Sequence, residues 1–128
     1  MKKKILIVLA DYYKDISNGL LKSAKSKLKN SFSIKIVRVP GVFEIPVTIS
    51  KNIKKYDGFI ALGCVIKGQT PHFDFISYAS TNAIMHLAVD SKKPIGNGIL
   101  TCLNIKQARE RMKKGSEASN AVVSIINQ

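Results

Sequence analysis

Tryptophan is missing from this chain and arginine nearly so: of 21 basic residues only Arg38, Arg109 and Arg111 carry a guanidinium. Arginine is the usual fork for bases and phosphates, so its scarcity counts against a sequence-reading nucleic-acid binder. Cysteine is limited to Cys64 and Cys102, each inside an apolar run and without CxxC spacing. That excludes a disulfide scaffold and a thiolate zinc site, and predicts buried free thiols in a reducing compartment. The two histidines, His72 and His86, stand fourteen residues apart with no HExxH pattern, so no metal is expected. His86 falls inside a long helical stretch and reads as structural or surface. A GxSxG elbow is absent, which leaves a serine hydrolase unsupported. No apolar run approaches the roughly 18 residues of a spanning helix, so no membrane partner is expected. The lysine-rich start followed by Ile5–Ala10 imitates a signal peptide, but the run is short and passes straight into Asp11. It reads as a first strand of a soluble, cytoplasmic protein.

Acidic residues are also scarce, eight against 21 basic, for a formal charge of +13. Such a field attracts anions. The lysines, however, are spread along helix faces and strand ends, with no dense block beyond residue 4. Aromatics such as Tyr12, Tyr13, Phe43 and Phe73 are not interleaved with arginine as a base-stacking platform needs. The expectation is a solvated lysine surface that helps draw in small anionic substrates, with no nucleic-acid partner.

What remains is an ordinary globular composition, 45% hydrophobic over 128 residues, predicting one domain over 1–128. Ile5–Ala10 and Phe59–Val65 are continuous apolar runs, as in strands covered on both faces, whereas Ser33–Val39 alternates. Ile16, Leu20, Leu21, Ala24 and Leu28 recur at helical spacing. Pro46 suits the first turn of a helix running to about Lys55. A long helix is expected from about Pro71 to Val89, a strand over Ile95–Leu103, and two closing helices over about Lys106–Met112 and Ser116–Ile126. This alternation predicts a three-layer α/β/α sandwich around a four-stranded parallel sheet. In such folds ligands bind beyond the carboxyl ends of the strands.

Gly63–Phe73 (GCVIKGQTPHF) occupies one of those ends. Pro71 biases Thr70 to extended backbone, which predicts Thr70 as helix N-cap and Pro71 as first helical residue. Backbone N–H groups at Gln69, Thr70 and His72 would then face an anion at the positive end of the helix. His72, in the same turn, is the candidate proton shuttle, since that location favours the neutral imidazole. The lysine here precedes Gly68, so this is not a P-loop. By spacing alone, a plain Thr-Pro helix start with a surface histidine stays open beside the functional reading. Val39–Pro46 (VPGVFEIP) bends between two prolines at another strand end, where Phe43 offers apolar surface and Glu44 a carboxylate. Taken alone, the segment reads first as a simple loop into a helix, with the functional reading open beside it.

Taken in order, VPGVFEIP, GCVIKGQTPHFD, PIGNGILT, QARER and KGSEA resemble the lumazine synthase family over essentially the whole chain. The resemblance implies a flavodoxin-like fold, here without the family's N-terminal extension strand. It also implies condensation of 5-amino-6-(D-ribitylamino)uracil with 3,4-dihydroxy-2-butanone 4-phosphate, without a cofactor. The implied partners are those two small molecules and further copies of the chain, as a pentamer or an assembly of pentamers with sites between neighbours. Matching position by position, Tyr12 stacks on the pyrimidine, while Val42, Phe43 and Glu44 hold the ribityl chain. Cys64, Val65 and Ile66 meet the pyrimidine edge, Gln69 and Thr70 bind phosphate, and His72 transfers protons. Arg111 pairs with the phosphate, and Lys114 and Glu117 assist phosphate and His72. Asn97 stands where many members have phenylalanine, and the Arg111–Lys114 connection is shorter than usual. Those departures keep open a catalytically weakened scaffold or flavin-binding paralogue, beside a basic nucleic-acid-binding module.

Overall fold

The computed structural model of the protein describes residues 2–128. Strands β1 (Lys3–Ala10), β2 (Phe32–Val39), β3 (Gly58–Ile66) and β4 (Ile95–Cys102) alternate with helices α1 (Lys14–Lys25), α2 (Ile45–Lys51), α3 (His72–Ser91), α4 (Ile105–Glu110) and α5 (Lys114–Ile126). All pairings are parallel, in the order β2-β1-β3-β4. The chain moves outward from β1 to β2, then returns past β1 to β3, so the strand order reverses between β1 and β3. Among the described residues no helix is long and apolar enough to cross a membrane.

The apolar runs have the cause expected of them. Ile5, Ile7, Leu9, Ile60 and Leu62 pack with Ile16, Leu20 and Ala24 of α1 and Ala118 and Val122 of α5. The alternate residues Leu6, Val8, Ala10, Phe59 and Ala61 pack with Ile45, Ile49 and Ile84 on the opposite face. The central strands are therefore covered on both sides, giving the three-layer sandwich. Full burial of one such aliphatic side chain stabilises by about 1.5–3 kcal/mol, and β1 contributes Ile5, Leu6, Ile7, Val8 and Leu9 with no exposure. On edge strand β2, Phe32, Ile34 and Ile36 turn to the first cluster while Lys35 stays exposed.

Several boundaries differ from expectation: α4 closes at Glu110 rather than Met112 and α5 opens at Lys114 rather than Ser116, and two further shifts have a visible cause. Helix α2 stops at Lys51 rather than near Lys55. The Asn52 side-chain amide donates to the Thr48 carbonyl at 2.8 Å, and the Asn52 N–H shifts to Ile49 at 3.0 Å. The side chain thus takes the acceptor that would have continued the helix. Helix α4 begins one residue early because Asn104 caps it, its Oδ1 accepting from Gln107 N–H at 2.9 Å. Gln107 reaches back to accept the Leu103 N–H at 2.8 Å. An Asn-x-x-Gln spacing of this kind is a legible helix start.

The seam between α1 and α5 fixes the start of α5. A Cβ at Gly115 would lie 2.2 Å from the Leu20 carbonyl oxygen, so the two backbones are nearly in contact. Ser119 Oγ donates to Ala24 O at 2.8 Å, and Ser23 Oγ accepts Ser116 N–H at 2.9 Å, stitching the same seam.

Candidate active site

Three strand ends meet in one cleft of about 660 Å³ at the β1/β3 switch point. Tyr12 and Tyr13 come from the end of β1, Gly41–Glu44 follow β2, and Cys64–Ile66 end β3, with His72 and Ile76 arriving on α3. Tyr12 and Phe43 are largely exposed, at 75% and 64%, which leaves ring faces free for a planar ligand. Tyr13 meets Tyr12 edge-on, with ring centroids 4.9 Å apart, and so braces it. Burial, then Tyr12 and Cys64, raise the Tyr13 phenol above its ordinary value. Gly41 is close to Glu44: a Cβ there would stand 3.2 Å from the Glu44 carboxylate. One wall is thus aromatic, and the mouth carries a carboxylate and an imidazole.

The helix start under His72 requires a correction. Pro71, with φ −72° and ψ 5°, is itself the capping residue, and its carbonyl accepts the Phe75 N–H at 3.2 Å. Helix α3 begins at His72, one residue later than a Thr70 cap predicts, and no side chain caps its first turn. The near-zero ψ of Pro71 lies outside the helical range, so the proline is the hinge of the entry rather than its first helical residue. His72 still faces the aromatic cleft. Gln69 and Thr70 are exposed on the entry loop and line neither cleft described here.

A second cleft, of about 390 Å³, opens at the end of β4 between Ile99–Cys102 and Arg111, Lys113, Lys114 and Glu117. Arg111 Nη1 donates to the Gln107 carbonyl at 3.3 Å. Among the described residues the ion pairs are Arg38–Asp11 at 2.9 Å and Arg109–Asp15 at 3.4 Å, and the cleft's three cations take part in neither. Asn97 stands apart from both sites, in an apolar groove of about 550 Å³ with Met85, Val89 and Ile125. Its Oδ1 accepts the Ile99 N–H at 3.0 Å.

Both cysteines are free and buried. Burial, with Cys102 and Asp15 nearby, pushes the Cys64 thiol up to about 12, so it lines the aromatic cleft as a neutral group and not as a nucleophile. Burial also raises the Cys102 thiol, while the Arg111 guanidinium beside it acts in the opposite sense.

Within one chain, then, eight expected residues come together (Tyr12, Val42, Phe43, Glu44, Cys64, Val65, Ile66 and His72). Arg111, Lys114 and Glu117 form a separate group. Sequence reasoning missed Tyr13, Ile76 and Lys113 as lining residues. Ile76 was accessible, since it lies one helical turn after His72. It also missed that lysines distant in sequence converge: Lys2, Lys3, Lys4, Lys54, Lys55 and Lys93 surround Asp57 at the amino ends of the strands, away from both clefts. The expectation of no dense lysine block beyond residue 4 is corrected at that end, where Lys54, Lys55 and Lys93 join the first lysines.

A parallel sheet whose strand order reverses beside a ligand-sized cleft places the chain in the doubly wound α/β class, with its candidate site at the switch point. The sequence model for 6,7-dimethyl-8-ribityllumazine synthase matches residues 2–128. Proteins of that name from Bartonella tribocorum and Agrobacterium fabrum are 45% and 41% identical to the chain, each alignment covering 98% of it and 91% and 93% of the relative. Another from Bartonella bacilliformis is 47% identical over 88% of this chain and 78% of its own. The chain belongs to the 6,7-dimethyl-8-ribityllumazine synthase family.

Proposed function

We propose that the aromatic and cationic clefts are the two halves of one catalytic site, completed where neighbouring copies of this single 1–128 domain meet. The reaction is that of the family: 5-amino-6-(D-ribitylamino)uracil and 3,4-dihydroxy-2-butanone 4-phosphate condense to 6,7-dimethyl-8-ribityllumazine, with loss of phosphate and water. The chain is thus a transferase of riboflavin biosynthesis. The observation that carries the site assignment is the union, at the switch point, of exposed aromatic faces, the Val42–Glu44 turn, the end of β3 and His72.

The residues suit the steps. Tyr12 and Phe43 present ring faces for the pyrimidine and its ribityl chain, and Glu44 accepts hydrogen bonds from ribityl hydroxyls. The backbone of Cys64–Ile66 borders the pyrimidine edge. The amine attacks the ketone carbon, the resulting carbinolamine loses water to give an imine, phosphate is eliminated, and the ribitylamino nitrogen closes the ring on the remaining carbonyl with loss of a second water. His72, at the mouth, accepts and returns protons during imine formation and phosphate elimination. Gln69 and Thr70, on the loop beside His72, complete the phosphate end. Arg111 and Lys114 of the neighbouring copy neutralise the departing phosphate, Glu117 orients His72 from that copy, and Asn97, which lies outside both clefts of a single chain, reaches the pyrimidine only through docking of a neighbouring copy. Holding two reactants in register supplies much of the acceleration, since effective molarities reach roughly 10⁵ M or more.

Assembly is supported by α3. Phe75, Tyr78, Met85 and Val89 form one stripe along it and are 62–71% exposed, a spacing that lines up one helix face. Such a stripe suits burial against further copies, and the family's pentamer is the proposed unit, in the cytoplasm. Lumazine formation from both substrates above the spontaneous background, monitored by absorbance, tests the reaction. His72→Ala is expected to slow turnover at least about 100-fold, and unchanged turnover removes the histidine from the mechanism. Sedimentation giving monomers at micromolar concentration would sink the shared site.

A further inference from the structure

We infer that Lys113 is a third cationic ligand for the substrate phosphate, beside Arg111 and Lys114. The inference rests on the reading of the cationic cleft given above. Lys113 lines that cleft, yet belongs to no motif that pointed to it.

The turn between α4 and α5 imposes the arrangement. Lys114 N–H donates to Arg111 O at 3.0 Å, and Gly115 N–H to Met112 O at 3.2 Å, closing residues 111–115 into a tight turn. Met112 turns inward, its sulfur seated against Gly19 of α1. The flanking Arg111 and Lys113 are left at the cleft with Lys114. A connection this short holds three cations in four consecutive residues on a rigid support.

The start of α5 offers an anion little else. A helix amino terminus usually binds anions through free N–H groups. Here Lys114 and Gly115 use theirs in the turn, Ser116 and Glu117 donate to Lys113 O at 3.0 and 3.3 Å, and Ser116 is also bonded to Ser23 Oγ. The first four donors are occupied, so anion affinity must reside in the side chains. Glu117 is the one carboxylate lining the cleft, against Arg111, Lys113 and Lys114. The surplus is two positive charges, matching a phosphate monoester, which carries about −1.5 to −2 near neutral pH. Without Lys113 the match is lost.

The test uses the intact oligomeric protein with K113Q and K113R. Inorganic phosphate is titrated by ³¹P NMR, and lumazine formation is followed while each substrate is varied. K113Q is expected to weaken phosphate binding and raise KM for the phosphorylated butanone by about tenfold or more, as for loss of one charge-assisted hydrogen bond. KM for the pyrimidine amine should stay unchanged, and K113R should recover most of the loss. Unaltered phosphate binding by K113Q, or no phosphate binding by the wild-type protein, overturns the inference. So does a loss spread over both substrates and not recovered by K113R, which marks a structural role. If wild-type protein binds phosphate but makes no lumazine, the proposed reaction falls while the titration still decides the role of Lys113.

Discussion

Replacing Gly115 by alanine adds one methyl group at the tightest point of the α1–α5 seam. The new carbon would lie 2.2 Å from Leu20 O, 3.0 Å from Ala24 N and 3.1 Å from Leu20 C, all backbone atoms that cannot rotate away. Relief requires the helices to part by about 1 Å, and overpacking of this kind costs about 1–3 kcal/mol. The Ser119–Ala24 and Ser116–Ser23 hydrogen bonds, at 2.8 and 2.9 Å, cross the same seam and would stretch beyond useful length. The Ser119–Ala24 bond is the buried one of the two, and a buried polar group left without its partner adds about 1–3 kcal/mol. Better helix propensity of alanine returns about 1 kcal/mol. The net expectation is a destabilisation of about 3 kcal/mol, read by urea unfolding at fixed protein concentration, because the proposed assembly would make stability concentration-dependent. Gly68→Ala is the matched control: nothing lies within 4 Å of its Cβ position and its φ is not positive. It should be neutral or stabilising by up to about 1 kcal/mol. Since Gly115 adjoins Lys114, parting the seam should also raise KM for the phosphorylated substrate. A Gly115→Ala protein within about 1 kcal/mol of wild type would refute the steric reasoning.

Three further outcomes are expected. The Cys64 thiol is raised from 9.0 to about 12 in the folded chain, so above pH 9 the unfolded chain releases a proton that the folded chain keeps. Stability should therefore fall as pH rises from 9 towards 12, with Cys64 contributing about 1.4 kcal/mol per pH unit. Unfolding curves at pH 8.5 and 10.5 should show a smaller loss for Cys64→Ala than for wild type, and equal losses would count against the burial argument. Lys92, which ends α3 at φ 59° and ψ 31°, should be replaceable by glycine with a gain of about 0.5–1 kcal/mol, and a lower Tm for Lys92→Gly would contradict it. The lysines around Asp57 repel one another, so Tm should rise with added salt and with Lys55→Glu at low salt. Lack of any response to either would mean that this end is already neutralised.

Much of the architecture was legible because burial on both faces writes itself as an unbroken apolar run, as in Ile5–Ala10, and burial on one face as alternation, as in Ser33–Val39. Strand–helix alternation then leaves few arrangements other than a parallel sheet with helices on both sides. The GQTPHF segment located the start of α3 near His72 because a proline just before a helix is a local steric statement. Even there the cap was misplaced by one residue, since the ψ of Pro71 depends on the path of the loop. Asn52 ends α2 through a side-chain bond that competes with the helix, a choice settled by geometry within one turn.

By itself, the amino-acid sequence determined which residues are apolar, where helices and strands start within about two residues, and which motifs mark the family, since these depend on neighbours a few positions apart. Only the tertiary structure decided that Tyr12, Phe43, Cys64 and His72 share one cleft while Arg111, Lys113 and Lys114 line another. It alone gathered Lys2–Lys4, Lys54, Lys55 and Lys93 at the far end. Those groupings arise because parallel strands deliver their carboxyl ends to one edge and their amino ends to the other, bringing together residues that no local spacing connects.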